Sequence, residues 1–133
     1  MTSVTLNEGL TYIGESAFRN DISLTEITIP LTVTEIDSYA FAGCSALTSA
    51  SIGGTINDFA ETTIGYEAFA GCKSLTTLFI GNNVKSIERR AFVNCENLKK
   101  LHFYGSESEW NEIIIDTPND ELVNATKEYN YTK

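Results

Sequence analysis

Three cysteines, one histidine and a set of carboxylates are the side chains with which this 133-residue chain could do chemistry. Cys44, Cys72 and Cys95 are candidates for a disulfide or a metal site. Zinc needs four convergent ligands, and a disulfide needs a defined dihedral across its sulfurs. All three cysteines stand at one offset, eight residues after Ile36, Ile64 and Ile87. Side chains at one place in successive coils point in parallel rather than converge. They read as buried thiols acting as small apolar groups, with a disulfide or a metal site as the alternatives. His102 is the only histidine, and no G-x-S-x-G nucleophile turn accompanies it. It reads as an exposed surface residue rather than a catalytic base. Glu107, Glu109, Glu112, Asp116, Asp120 and Glu121 lack the alternating acidic spacing of a calcium loop and read as solvated charge. No catalytic residue, metal ligand or cofactor is therefore expected, and the chain is not read as an enzyme. Asn124-Ala-Thr and Asn130-Tyr-Thr are glycosylation sequons, relevant only to a secreted chain.

The elements that position these residues repeat. Ile13, Ile36, Ile64 and Ile87 each start a block in which Ala-Phe follows four residues later, then Leu, then alternating residues. The pairs are Ala17-Phe18, Ala40-Phe41, Ala68-Phe69 and Ala91-Phe92. Steps of 23, 28 and 23 residues between the four isoleucines predict a solenoid. Val4 and Leu6 alternate with polar residues and read as half a preceding repeat. In each block the Ala is small enough for neighbouring coils to approach, and the Phe fills the space behind the strand. The Ala-Phe segment is too short for a stable helix and reads as one helical or 3₁₀ turn.

Strands are predicted over 25–29, 48–52, 76–80 and 99–103. Consecutive coils run the same way, so these strands form one parallel sheet with about 4.8 Å between neighbours. Ile27, Ile29, Ala50, Ile52, Leu78, Ile80, Leu101 and Phe103 face inward. The outward face carries small hydroxylated residues early, Thr28, Ser49, Ser51 and Thr77, and then Phe79, Lys100, His102 and Tyr104. Exposed aromatic groups beside a cation have the composition of interface hot spots. Those four residues are the candidate ligand-binding site. The simpler alternative is that Phe79 and Tyr104 pack beneath the C-terminal cap or onto the loop 53–63.

Two places break the period. Ile52 and Ile64 are 12 residues apart where Ile29 and Ile36, or Ile80 and Ile87, are 7 apart. The insertion at 53–63 reads as a loop, used for binding or simply tolerated. After Phe103, the repeat pattern places Trp110 at the isoleucine position and Ile114-Ile115 at Ala-Phe. A short helix is expected over 119–126, capped by Asn119 or Asp120, and a last strand over 128–131. Residues 1–103 thus read as repeats and 104–133 as a degenerate cap that covers an open solenoid end.

The pattern I-x-x-x-A-F-x-x-C-x-x-L-x-x-I-x-I resembles the BspA-like leucine-rich repeats, whose period is about 23 residues. Asp21 in place of Cys, Ala50, and Gly53 and Gly81 in place of a strand-ending Pro depart from it. The Gly-Ser-x-x-Glu-Trp-x-x-Ile segment resembles the ending of many such chains. The resemblance implies an α/β right-handed solenoid with one parallel sheet and a C-terminal cap. It also implies a secreted or cell-surface protein whose repeats mediate adhesion or protein contacts, with no shared catalytic residues.

Composition narrows the partners. With 18 acidic against 9 basic side chains the net charge is −9, which opposes nucleic acids and anionic membranes. No apolar run is long enough to insert in a bilayer, and no basic-then-apolar start marks a signal peptide. A protein or glycan ligand is the expected partner, with a structural spacer displaying other domains as the alternative role.

Overall fold

The computed structural model describes residues 3–53 and 61–131. The chain winds as a solenoid whose coils each contribute one strand to each of two parallel sheets. The first sheet has the order β1 (Ser3–Val4), β3 (Glu26–Ile29), β5 (Ser49–Ile52), β7 (Thr77–Ile80), β9 (Lys100–Phe103) and β11 (Thr126–Glu128). The second comprises β2 (Tyr12–Ile13), β4 (Glu35–Ile36), β6 (Thr62–Ile64), β8 (Val84–Ile87) and β10 (Ile114–Ile115). The single sheet expected from the sequence is thus one of two. Most strands of the second sheet are two or three residues long, too short to show alternation. They are strands because stacked neighbours complete their ladders.

Registers follow the repeat. Ile27, Ala50, Leu78 and Leu101 lie side by side across β3, β5, β7 and β9, as do Ile29, Ile52, Ile80 and Phe103. All eight are buried, so every predicted inward position holds. Phe18, Phe41, Phe69 and Phe92 stack behind them with centroids 5.1, 5.0 and 5.2 Å apart and planes within 10°.

The Ala-Phe segment is not helical. Successive i to i−3 hydrogen bonds make it a run of β-turns, such as Ala17 N to Gly14 O, Arg19 N to Ser16 O and Asp21 N to Phe18 O. Ser16, Tyr39, Glu67 and Arg90 at one repeat position, and Asn20, Gly43, Gly71 and Asn94 at another, have φ between 51° and 74°. That backbone prevents helix propagation and frees alternate N–H groups to reach the next coil. Phe18, Phe41 and Phe69 N–H donate to Ala40, Ala68 and Ala91 carbonyls at 2.7–2.8 Å. The outer segment is therefore a third ladder between coils.

Among the described residues the two helices lie in the C-terminal segment, where the register differs from the sequence reading. Ile115 pairs with Ile87, so Ile115 and not Trp110 takes the repeat isoleucine position. The cause is α1 (Glu107–Asn111), which begins at a reciprocal capping box between Ser106 and Glu109. It turns Trp110 inward, edge-on to Phe103 at 5.3 Å. The second helix, α2 (Asp120–Asn124), has Asn119 at its N-cap, and the last strand is 126–128 rather than 128–131.

Within the insertion, residues 54–60 fall outside the described residues, and with them most of the binding-loop question. Its return is pinned at Thr62, whose hydroxyl donates to Val33 O at 2.7 Å and accepts from Asn83 Nδ2 at 2.8 Å.

Candidate functional site

The outward face of the first sheet brings three of the four sequence-predicted residues together. Phe79 and His102 are cross-strand partners in the β7–β9 register, and their rings stack at 4.8 Å and 14°. Tyr104 follows on the same face, its N–H donating to Ile80 O at 3.0 Å. A residue that sequence reasoning missed completes the cluster. Tyr131 lies 5.4 Å from Phe79, 4.5 Å from His102 and 5.4 Å from Tyr104. Its placement comes from two backbone hydrogen bonds, Asn130 N to Gly105 O at 2.7 Å and Tyr131 N to Phe103 O at 2.9 Å.

Tyr131 changes the site in one respect. His102 is only 9% exposed, not the surface residue expected, because Phe79 and Tyr131 cover it. Its Nδ1 lies 2.6 Å from Glu128 Oε1, a contact that β11 creates by pairing Glu128 with His102. Phe79 and Tyr104 stay half-buried, and Lys100 is exposed at the start of β9. Burial pushes the Tyr104 phenol above its usual range, and Tyr131 adds to the shift.

The thiols form a ladder of their own. Cys44, Cys72 and Cys95 are buried and free, and their Sγ atoms donate to Phe18, Phe41 and Phe69 carbonyls at 3.2, 3.3 and 3.1 Å. They are thus hydrogen-bonded links between coils as well as apolar fillers. Burial pushes the Cys44 thiol up to about 11. The Cys72 thiol is pushed up by its contact with Cys95 and then by burial.

Two carboxylates of the C-terminal segment have structural work, while Glu107, Glu112, Asp116 and Asp120 are exposed as expected. Glu109 closes the capping box, and Glu121 accepts from Asn94 N at 3.3 Å. Among the described residues no three metal-ligating side chains converge.

These coils, with an Ala-Phe turn, a thiol rung and a Leu before each strand, match the profile described as BspA type Leucine rich repeat region. The match comprises six copies over residues 1–114. The chain belongs to this family. A leucine rich cell surface protein from Faecalibacterium prausnitzii A2-165 is 34% identical with a TM-score of 0.72, over 89% of this chain and 30% of that one. A leucine-rich repeat protein from Bacteroides ovatus ATCC 8483 is 23% identical with a TM-score of 0.37, over 77% of this chain and 39% of that one. This BspA-type chain thus spans less than a third of the length of the first of these proteins. No curated protein matches the chain.

A second side of this leucine-rich repeat went unread in the sequence. The turn ridge carries Tyr39 and Tyr66 edge-to-face at 5.6 Å. Arg19 sits over the first ring at 4.6 Å and Arg89 over the second at 5.5 Å. Arg90 Nε pairs with Glu67 at 2.9 Å between them. All three arginines of the chain therefore lie on this ridge. They hold no common place in the repeat, Arg19 preceding the left-handed Asn20 and Arg89 the left-handed Arg90 of the other turn, so spacing alone gave no signal.

Proposed function

We propose that the chain is a non-catalytic interaction module of a secreted or cell-surface protein, holding a protein or glycan ligand on the outward face of its first sheet. One observation carries the reading. Phe79, His102, Tyr104 and Tyr131 gather on a face that also carries Glu26, Thr28, Ser49, Ser51 and Thr77. Pre-packed aromatic groups present contact area at small conformational cost, and the adjoining hydroxyls supply adaptable hydrogen bonds. Lys100 places a cation at the edge of the cluster. The family and the cell-surface relative support a surface location.

The test is capture from a panel of matrix and mucin components, followed by a Phe79→Ala/Tyr104→Ala pair of unchanged melting temperature. Loss of capture supports the reading, whereas unchanged affinity removes the cluster from the interface. A second role, as a spacer within a longer protein, is favoured by the chain matching only 30% of its relative's length. It predicts that no panel component is captured.

A further inference from the structure

The turn ridge ends in an open groove of about 460 Å³ lined by Tyr66, Glu88, Arg89, Asp116 and Thr117. Two of these side chains are exposed and carry opposite charges. The Arg89 guanidinium rests over the Tyr66 ring, and Asp116 stands at the end of β10 with its N–H bound to Ile87 O. The two do not pair with each other, and neither has an ion-pair partner among the described residues. Glu88 is held differently, its Oε1 accepting from Tyr66 N at 3.1 Å. The Tyr66 phenol is raised by its hydrogen bond to Glu67, which also binds Arg90.

We infer that this groove is a binding site for an uncharged sugar residue of a glycan. A guanidinium offers paired donors in a fixed plane, and a carboxylate offers paired acceptors. Vicinal hydroxyls both donate and accept, so one diol can satisfy each group. The Tyr66 ring backs the guanidinium and holds its donor plane in place. The site's electrostatics oppose the alternative of an anionic ligand. Asp116 and Glu88 flank the one arginine, and the chain carries a net charge of −9. This site is separate from the Phe79 cluster, and its fate is independent of that reading.

Isotope-labelled protein titrated with neutral oligosaccharides of glucose, galactose, mannose and N-acetylhexosamines, and with sulfated and carboxylated counterparts, provides the test. At least one neutral sugar is expected to shift the amide signals of Tyr66, Arg89 and Thr117, with little dependence on salt. Arg89→Ala and Asp116→Asn should each weaken that binding about tenfold or more, since each removes hydrogen bonds to a charged group. Arg89→Lys keeps the charge but not the planar fork and should not restore it. Phe79→Ala should leave it unchanged. The inference is overturned if no neutral sugar shifts these signals. It is also overturned if only anionic sugars do so and salt abolishes the effect, or if the folded Arg89 and Asp116 variants bind normally.

Discussion

The two ends of the stack treat the same exposed ladder differently. At the C-terminal end, the donors that elsewhere meet the next coil find substitutes. Arg90 N donates to Pro118 O at 2.9 Å, Phe92 N to Asn119 Oδ1 at 3.2 Å and Asn94 N to Glu121 Oε2 at 3.3 Å. Asn119 is 1% exposed, and its Nδ2 donates to Glu88 O at 2.9 Å and Asp116 O at 2.7 Å. Lys127 Nζ covers the end of α2 by donating to Leu122, Val123 and Ala125 carbonyls. In the N-terminal coil Ala17 is exposed and Phe18 is only half-buried, although Ala40, Ala68, Ala91 and the later Phe rings are fully buried. A repeat position therefore has no fixed energetic value. Its worth depends on having a coil, or a substitute for one, on both sides.

The sharpest test sets one ring against its equivalent. Phe69→Ala should cost about 3–5 kcal/mol, because the ring is wholly buried between Phe41 and Phe92. Phe18→Ala should cost less than half as much by denaturant unfolding. Equal losses would break the comparison. Next comes the cap. Asn119→Ala should cost about 2–3 kcal/mol, because the buried Phe92 N–H loses its partner and the Glu88 carbonyl keeps only the Ala91 N–H. Hydrogen exchange should show the 88–94 segment opening first.

A smaller effect is expected at the turns. Gly43 has φ +74°, and a Cβ there would meet Asn20 Oδ1 at 2.1 Å. Gly43→Ala should cost about 1–2 kcal/mol, whereas Gly9→Ala, with nothing within 4 Å, should be close to neutral by melting temperature.

The smallest concerns pH. The Cys44 thiol has its folded pKa raised from 9.0 to about 11, chiefly by burial. Because the neutral thiol is favoured in the fold, its contribution is complete below about pH 9 and is lost as the pH rises through about 11. Stability should decline over that window, and less steeply in Cys44→Ala. Native thiols should react slowly with alkylating reagents. Rapid labelling without denaturant would contradict their burial.

Much of this was legible because solenoid contacts obey sequence offsets. Phe79 and His102 touch because they hold the same place in adjacent coils, and a fixed period puts such residues side by side. Tyr131 lies beyond the last regular coil, where no offset predicts a neighbour. The Ser106–Glu109 capping box, which displaces Trp110 from the repeat register, was present as a local signal and outweighs the periodic alignment.

The sequence by itself determined the coil period, the inward residues, the phenylalanine stack and the thiol ladder, since each depends on spacing and side-chain type alone. Only the tertiary structure decided the second sheet, the third ladder of turn hydrogen bonds, the cover over His102 and the meeting of Arg89 with Asp116 at one groove. Those features depend on how far one coil rises over the next and on which irregular segment ends the stack. Neither quantity is carried by a two- or three-residue window of sequence.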